Sequence, residues 1–284
     1  MQPSDHADAF QAHRSLLLAI AYRMLGSAAE AEDVLQDAWL RWQRVEPGTV
    51  GSVRAWLSTA VTRLSLDRLK AARVRREAYD GPWLPEPLRT EERVDPDSIS
   101  MAFLVLLERL TPLERAAYLL HEVFEYSHAE IAAILERQEA ACRQLFHRAQ
   151  ARVREGRPRF AASRAEHEGL LRAFTEALMK GDLRGLEHTL ARDATLWADA
   201  GGKVPGAARR PVHGAHAIAL FFSGILRKFP PGPDQTFDVL DVNGWPALVG
   251  RRGGVANLVL SIETDGSRII AVRNVVNPDK LRHV

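Results

Sequence analysis

Apolar side chains recur at helical spacing through the first 158 residues, with charged side chains between them. A period near 3.6 residues predicts amphipathic helices over about residues 10–25, 28–43, 53–77 and 99–125. Ser27 with Glu30, and Thr111 with Glu114, have the S/T-x-x-E spacing of a capping box, which marks where a helix begins. The front half of the chain is therefore predicted to be all-α.

Two more helices, separated by a tight turn, are predicted between Ser127 and Arg154. A short helix, a turn near residues 136–138 and a longer arginine-rich helix form the outline of a helix-turn-helix, whose second helix enters the DNA major groove. The alternative is an ordinary helical hairpin with a solvated basic face. Positions spaced by four predict the buried side of the second helix: Ala141, Leu145, Ala149 and Val153.

Short alternating runs replace the helical pattern after about residue 190. Segments such as FDVLDV and RIIAVRNVV, separated by Gly and Pro, predict strands, with one further helix over about residues 216–229. Ser163 and Glu166 start a helix that stops at Gly181 and precedes this region. Helices followed by a meandering sheet indicate an α+β domain, separate from the helical front half.

The stretch 79–98 contains four prolines and few periodic apolar positions. It is predicted to be an extended linker. Trp83 and Leu84 are unusual in a polar linker, so they are predicted to anchor it on another surface.

Charge and cysteine content narrow the class of protein. The formal net charge is only +2, but residues 54–76 and 137–159 each hold seven basic residues against one and two acids. Two basic clusters far apart in sequence indicate two contacts with one polyanion. The single cysteine, Cys142, excludes a disulfide framework and a cysteine-based zinc site, and is predicted to be a packing residue. Without a membrane-length apolar run or a signal-peptide pattern, a cytoplasmic location is expected.

Three blocks, at residues 31–42, 54–73 and 110–154, occur in an order that resembles the bacterial extracytoplasmic-function sigma factors, initiation factors of RNA polymerase. WLPEP (83–87), DAGGK (199–203) and NPDKL (277–281) resemble the subgroup with a fused C-terminal SnoaL-like domain, a curved sheet and helices forming a cone. The resemblance implies a multi-domain protein with two all-α domains and one α+β domain. The expected ranges are a region 2 domain over 1–78, the linker over 79–98, a region 4 helix-turn-helix domain over 99–158 and the SnoaL-like regulatory domain over 159–284.

Core RNA polymerase, through its β′ and β subunits, and promoter DNA are the partners that the resemblance implies. It also implies a protein that is not an enzyme, with no cofactor, no metal and no membrane contact. The fused C-terminal domain is expected to act as a built-in regulator, so that no separate anti-sigma factor is required.

The positions of this chain that match the family's motifs are expected to have the same functions. Polymerase docking is expected at Asp33, Gln36 and Asp37, and minus-10 recognition at Arg63, Asp67, Lys70 and Arg73. The loop over 44–52 matches the segment that captures a flipped base. Arg143 and Gln144 suit bidentate contacts with base edges, whereas Arg137, Arg148 and Arg152 suit phosphates. The full minus-35 set is Arg137, Gln138, Glu139, Arg143, Gln144, His147, Arg148 and Arg152.

The regulatory contact is expected between the linker and two segments of the C-terminal domain. The residues are Trp83, Leu84 and Pro85 on the linker, and Asp199, Gly201, Gly202, Lys203, Asn277, Pro278, Asp279 and Lys280 on the domain. Two positions depart from the family pattern. Ala200 replaces a glycine and would be strained at positive φ, and Glu136 replaces the glycine of the helix-turn-helix turn.

Other functions remain open at the level of sequence. Asp199, His213 and His216 are candidates for an acid–base set in the cone, against the alternative of a turn aspartate and two solvated histidines. Fold alone does not decide between them. The whole chain is alternatively a ligand-sensing helix-turn-helix regulator independent of polymerase, or an enzyme fused to a nucleic-acid tether.

Overall fold

The computed structural model describes residues 3–46, 48–90, 96–156 and 162–284, without the side chains of residues 3–5, 73–75, 77 and 96. These residues form two compact units. The first comprises the described parts of Met1–Glu77 and Leu106–Arg157, and the second those of Ala78–Val105 and Pro158–Val284. The two predicted DNA-binding regions therefore share one unit, whereas the predicted linker belongs with the C-terminal domain.

The first unit is helical, as predicted. Its helix starts follow local signals: both hydrogen bonds of the capping box are present at Thr111 with Glu114 and at Ser127 with Glu130. In chain order the elements are α1 (Pro3–Leu25), α2 (Ala28–Trp42), α3 (Val53–Glu77), α4 (Met101–Leu107, at the boundary of the units), α5 (Pro112–Tyr118) with a following π-helical turn (Leu119–Val123), α6 (His128–Leu135) and α7 (Glu139–Gly156).

The apolar stripes of these helices meet in a buried interior. α1, α2 and α3 pack on one another, and α5 and α6 each pack on α7. Leu17, Trp42 and Leu57 are among the buried side chains of the first three helices. α3 also contacts α5 and α6. Regions 2 and 4 are thus packed against each other through α3, the helix predicted to read the minus-10 element.

The second unit is built on a six-stranded sheet of order β2-β1-β6-β5-β4-β3. β1 and β6 are parallel, and the other neighbouring strands are antiparallel. After a 3-10 turn (Pro96–Ser98) and the α8 and α9 helices (Arg164–Lys180, Leu183–Thr189), the elements are β1 (Leu190–Asp199), β2 (Val212–His213), α10 (Ala215–Lys228), β3 (Gln235–Val242), β4 (Trp245–Arg252), β5 (Val255–Thr264), β6 (Ile269–Val275) and a 3-10 turn (Pro278–Lys280).

Each face of this sheet carries a buried apolar cluster, and the two clusters have different partners. Successive side chains of a strand point to opposite faces, so Leu248 joins the core beneath α8, α9 and α10 while its neighbour Val249 joins a second cluster. That second cluster includes Leu84 of the linker, 2% exposed, and Leu281 near the C-terminus. The linker is therefore part of the domain's hydrophobic core.

Candidate nucleic-acid interface and linker site

Six of the predicted minus-35 residues lie on α7, and the other two, Arg137 and Gln138, directly precede it. All eight are exposed: Arg137, Gln138, Glu139, Arg143, Gln144, His147, Arg148 and Arg152. The opposite face of α7 buries Cys142, Phe146, Ala149 and Val153, and burial raises the pKa of the Cys142 thiol. The predicted stripe was wrong at Ala141 and Leu145, which are only half-buried. Positions spaced strictly by four drift about 40° around a 3.6-residue helix at each step, so the stripe must mix spacings of four and three.

Two of these arginines have a structural partner. The Glu114 carboxylate, 3% exposed, pairs with Arg152 at 2.5 Å and with Arg148 at 3.3 Å. Glu114 also accepts hydrogen bonds from the N–H (3.0 Å) and hydroxyl (2.9 Å) of Thr111. A buried carboxylate without a cation is strongly unfavourable, so Arg148 and Arg152 stabilise the joint between α5 and α7. Arg143 instead pairs with Glu139, one turn away on α7, at 2.5 Å.

The helix-turn-helix turn contains a direct contact with the predicted minus-10 helix. Glu136, at the C-terminus of α6, has a left-handed backbone conformation with φ 53 and ψ 51. Its carboxylate lies 2.9 Å from Nη1 of Arg63 on α3. The Arg63 guanidinium also donates to the carbonyls of Ile134 (2.9 Å) and Ala133 (3.2 Å). Arg63 therefore satisfies carbonyls that the end of α6 leaves open, and its charge suits that end of the helix dipole.

Further contacts join the same two regions. The Tyr126 hydroxyl donates to Ser58 Oγ at 2.8 Å in a buried position. Arg115, 2% exposed, donates to the Arg23 carbonyl at 3.0 Å. Arg115 and Arg76 also both pair with the Glu108 carboxylate, and burial lowers the pKa of Arg76. Ser58, Arg23 and Arg76 of region 2 are thus each bonded to a residue of region 4.

The remaining predicted minus-10 residues are accessible where they are described. Asp67 and Lys70 are exposed and pair with each other at 3.3 Å. The side chain of Arg73 lies outside the described part of the chain. Arg63 therefore differs from Asp67 and Lys70 because it is engaged by region 4.

The predicted polymerase-docking residues lie on α2. Asp33 and Asp37 pair with Arg68 of α3 at 3.1 and 2.8 Å, and Gln36 is exposed between them. Both carboxylates are largely solvated, with side chains 64% and 46% exposed. Such exposed pairs contribute little stability, so an acidic face remains accessible.

In the second unit, the predicted linker and loop residues meet around Asp199, which is fully buried. The Tyr79 hydroxyl donates to Asp199 Oδ1 at 2.5 Å, and the Leu84 N–H donates to Oδ2 at 2.8 Å. Lys280 Nζ lies 2.7 Å from Oδ2 and also donates to the Leu84 carbonyl at 2.6 Å. The Asn277 amide donates to the Tyr79 oxygen at 2.8 Å. We call these five residues the Asp199 cluster.

The Asp199 cluster combines charge, hydrogen bonds and aromatic packing. The Lys280 ammonium lies 4.2 Å from the centre of the Trp83 ring and 5.0 Å from that of Tyr79, distances at which a cation is attracted to the ring face. Burial, and then the hydrogen bond to Asp199, raises the pKa of Tyr79 well above its ordinary value. The phenol therefore stays protonated and remains a donor to Asp199.

The 199–203 loop approaches the linker closely because of its glycines. Gly201 (φ 56) is so close to Asn277 that a Cβ would lie 2.5 Å from Nδ2, and a Cβ on Gly202 (φ 72) would lie 2.8 Å from Asp80 Oδ2. Outside glycine, the described residues have positive φ only at Glu125, Glu136 and Asn243. Ala200 is therefore not strained, and the departure from the family pattern has no backbone cost.

Other predicted members of the site act more indirectly. Lys203 pairs with Asp279, not with the linker. Pro278 begins the 3-10 turn that carries Lys280, and Asn277 caps it through a 3.1 Å bond from the Asp279 N–H. Pro85 is buried beside Leu84. Asn277 and Pro278 therefore position Lys280, which contacts the linker.

Several linker contacts were not predicted from the sequence. Glu86, 2% exposed, pairs with His283 at 2.6 Å. The Asn243 side chain accepts the Leu88 N–H at 3.2 Å and donates to the Ile99 carbonyl at 3.1 Å. Asn243 precedes Gly244 in the β3–β4 hairpin, so the Asn-Gly pair signalled a turn, but nothing local indicated its distant partners.

The predicted acid–base candidates do not form one set. Asp199 is occupied by the linker, whereas His213 lies 3.2 Å from Thr195 Oγ1 and His216 lies 2.7 Å from Glu187. Within the described residues, no group of three or more His, Cys, Asp or Glu side chains could hold a metal ion. No helix in that part of the chain is both long and apolar enough to cross a membrane.

Comparison with known proteins decides the family. Sigma-70 region 2 matches residues 9–75 and sigma-70 region 4 matches residues 100–153. The chain is 36% identical to the ECF RNA polymerase sigma factor SigJ of Mycobacterium tuberculosis, over 95% of this chain and 91% of that protein. This chain belongs to the extracytoplasmic-function sigma factors.

Two further comparisons cover almost the whole chain. This chain is 32% identical to the probable ECF RNA polymerase sigma factor SigI of M. tuberculosis, over 96% of this chain and 93% of SigI. The crystal structure of M. tuberculosis SigJ has a TM-score of 0.74 and 33% identity, covering 96% of this chain and 97% of that chain.

The chain is thus an alternative sigma factor of the subgroup with a fused C-terminal SnoaL-like domain, and the predicted fold class is confirmed. Its sigma regions imply core RNA polymerase and promoter DNA as partners. The alternative of a regulator independent of polymerase is set aside by this family membership.

Proposed function

We propose that this sigma factor is self-regulated: regions 2 and 4 hold each other in a closed form, and the C-terminal domain holds the linker that would let them separate. The observation that carries the proposal is the contact of Arg63 with Glu136. Arg63 is the first residue of the predicted minus-10 set, yet it binds the end of the first helix of the helix-turn-helix. Arg63 cannot make both contacts at once.

Distances support opening of the closed form. Elements named minus-10 and minus-35 are about 25 base pairs apart, or about 85 Å at about 3.4 Å per base pair. A compact unit of about 130 residues has a radius of gyration of about 14 Å. A unit of that size is too small for regions 2 and 4 to reach both elements while packed together.

The linker sets how far the two regions can separate. Fully extended, the stretch 79–98 would reach at most about 70 Å, which is sufficient when the size of each DNA-binding domain is added. Held by the Asp199 cluster and by the Glu86–His283 pair, the linker cannot extend. The C-terminal domain is in this way proposed to control the separation of the two DNA-binding regions, without a separate anti-sigma factor.

The residue roles follow within this proposal. Asp33, Gln36 and Asp37 bind the β′ subunit, while Arg63, Asp67, Lys70 and Arg73 contact the minus-10 element once region 4 releases Arg63. Arg143, Gln144 and their exposed neighbours on α7 read the minus-35 element. The C-terminal domain acts as a regulator and not as an enzyme, because Asp199 is engaged by the linker.

Run-off transcription with purified core RNA polymerase tests the proposal. Transcription of a cognate promoter should require this protein, and Lys280→Met, which removes the cation from the Asp199 cluster, should raise the transcript yield. Lys203→Met is the matched control, because Lys203 pairs with Asp279 and not with the linker. Equal yields from wild type and Lys280→Met would refute the regulatory role, and no binding to core polymerase would refute the polymerase-docking role.

A further inference from the structure

Two histidines of region 4 are stacked on each other beside the helix-turn-helix. His121 belongs to the π-helical turn Leu119–Val123, and His128 is the first residue of α6. Their ring centres lie 4.3 Å apart, with an angle of 21° between the ring planes. Phe146 of α7 packs against both rings, 4.5 Å from His121 and 5.7 Å from His128. The proposed roles in promoter and polymerase binding leave out these two residues, which we call the histidine pair.

The folded protein opposes protonation of the histidine pair. His121 Nδ1 lies 2.9 Å from the Tyr126 carbonyl, so the neutral His121 ring carries its hydrogen on Nδ1 and donates it there. His128 Nδ1 is buried without a hydrogen-bond partner among the described residues. In the protonated ring this nitrogen would be a buried donor without an acceptor, which is unfavourable. Burial, and then the charge of His121, lowers the pKa of His128.

The charged groups around the histidine pair do not offset this effect. On the packed elements they are Arg23 on α1, Arg54 and Arg63 on α3, Glu114 and Arg115 on α5, Glu130 on α6, and Glu139, Arg143 and His147 on α7, with Glu122 and Glu125 exposed between the two rings in sequence. The carboxylates of Glu114, Glu130 and Glu139 already pair with arginines or accept hydrogen bonds. Arg143 and His147 further lower the pKa of His128, while Glu139 raises it. Two protonated rings would therefore repel each other and the cations of α7.

The histidine pair also holds the loop that bonds region 4 to region 2. Tyr126 lies in the short chain between the two histidines, and its carbonyl is the partner of His121. The Tyr126 N–H donates to the Leu120 carbonyl at 2.9 Å in the π-helical turn. The Tyr126 hydroxyl donates to Ser58 Oγ on α3 at 2.8 Å. Displacement of either ring therefore disturbs a residue that joins the two DNA-binding regions.

We propose that the histidine pair is an acid-sensitive switch, which holds Tyr126 on region 2 at neutral pH and releases it when both rings are protonated. Histidine titrates between about pH 8 and pH 5, so this contact weakens across that range. The direction follows from linkage: a histidine that binds its proton less readily when folded loses stability as pH falls below about 6.5. Release of Tyr126 favours separation of regions 2 and 4, and transcription then increases in acid. This last step rests on the proposed function, whereas the local release does not.

Amide hydrogen exchange of the full chain at about pH 7.5 and about pH 5.5 tests the local release. The exchange rate is expressed relative to the intrinsic rate at each pH, which gives a protection factor. Tyr126 should lose at least about threefold in protection at the lower pH, since a one-unit difference in pKa corresponds to a factor of up to about ten. His121→Asn with His128→Gln should abolish the loss, because both amides keep a polar group and neither gains a charge. His13→Gln, at a half-buried position on α1, is the matched control and should lose protection as wild type does.

Either single variant should also reduce the loss, so the test does not depend on folding of the double variant. Equal protection of Tyr126 at both pH values in wild type would overturn the switch. The same loss in the double variant as in wild type would also overturn it.

Run-off transcription with core RNA polymerase at about pH 7.5 and about pH 6 tests the consequence for opening. The yield with wild type, divided by the yield with the double variant, should rise at least about twofold at the lower pH. The pH dependence of the polymerase cancels in this ratio, because both proteins bind the same enzyme. A constant ratio together with lost protection of Tyr126 would overturn the connection with opening. The Lys280→Met comparison tests the proposed function separately, because Lys280 lies in the Asp199 cluster and not in region 4.

Discussion

The Arg63 guanidinium on α3 lies 2.9 Å from the Glu136 carboxylate in the turn before α7. Glu136 occupies a left-handed position where glycine has the lowest cost. The pair itself is solvated, with side chains 42% and 74% exposed, so its direct contribution is small. Its significance is positional, because it places a predicted minus-10 residue against the helix-turn-helix.

Replacing Glu136 by glycine removes both the free-energy cost of its left-handed backbone and the ion pair with Arg63, so a control without an ion pair is needed to separate the two effects. Glu125→Gly is the matched control, since Glu125 is also left-handed (φ 59) in the same unit. Glu125→Gly should raise the free energy of unfolding by about 1 kcal/mol. Glu136→Gly should give a smaller gain, and should speed amide exchange near the end of α6, because Arg63 loses its carboxylate. Urea unfolding and hydrogen exchange measure both effects, and identical results for the two variants would show that the pair has no role.

Lys280→Met should destabilise the second unit more than any exposed lysine substitution. Asp199 would remain buried without a cation, which costs about 3–5 kcal/mol when one partner of a buried pair is removed. Lys203→Met removes an exposed pair, with side chains 50% and 56% exposed, and should cost less than about 1 kcal/mol. The difference in urea midpoint measures this contrast. Similar midpoints would mean that solvent reaches the Asp199 cluster.

Arg143→Ala and Arg152→Ala should differ in both specificity and stability. With holoenzyme, Arg143→Ala should lose about 1–3 kcal/mol of discrimination at particular minus-35 base pairs. Arg152→Ala should weaken binding to all sequences equally and lower the salt slope by about one. Arg152→Ala should also lower stability, because Glu114 loses its 2.5 Å partner. A base-dependent effect from Arg152→Ala would contradict this division of roles.

His167 should make the stability of the second unit depend on pH. It is 4% exposed, and its Nε2–H donates to the Pro246 carbonyl at 2.9 Å. Burial lowers its pKa, so the unfolded chain binds a proton more readily than the folded chain. The free energy of unfolding should therefore fall as pH drops below about 6.5, until the folded pKa is reached. Urea unfolding between pH 7.5 and 5 measures the slope, which His167→Gln should reduce. Parallel profiles would contradict this origin.

Local signals in the sequence were sufficient for the positions of the helices. Ser127 with Glu130 and Thr111 with Glu114 form their capping boxes within four residues of chain, so their hydrogen bonds depend on neighbouring residues alone. The buried side of α7 was less predictable. Spacing by four indicated Ala141 and Leu145, whereas the core holds Cys142 and Phe146. The face that a helix buries depends on the helices packed against it.

The sequence by itself determined the family, an all-α N-terminal half and an α+β C-terminal domain. It also showed where the basic clusters and the glycines of the 199–203 loop lie. For Asp199 the sequence left two roles open, a contact with the linker and a place in an acid–base set, and only the tertiary structure showed which atoms it binds. Its partners Tyr79, Leu84 and Lys280 are 120, 115 and 81 residues away in sequence, and no local pattern records such distances. The same holds for Arg63 and Glu136. Whether a charged side chain contacts DNA, solvent or another part of the chain depends on which surfaces bury it, and burial is a property of the folded whole.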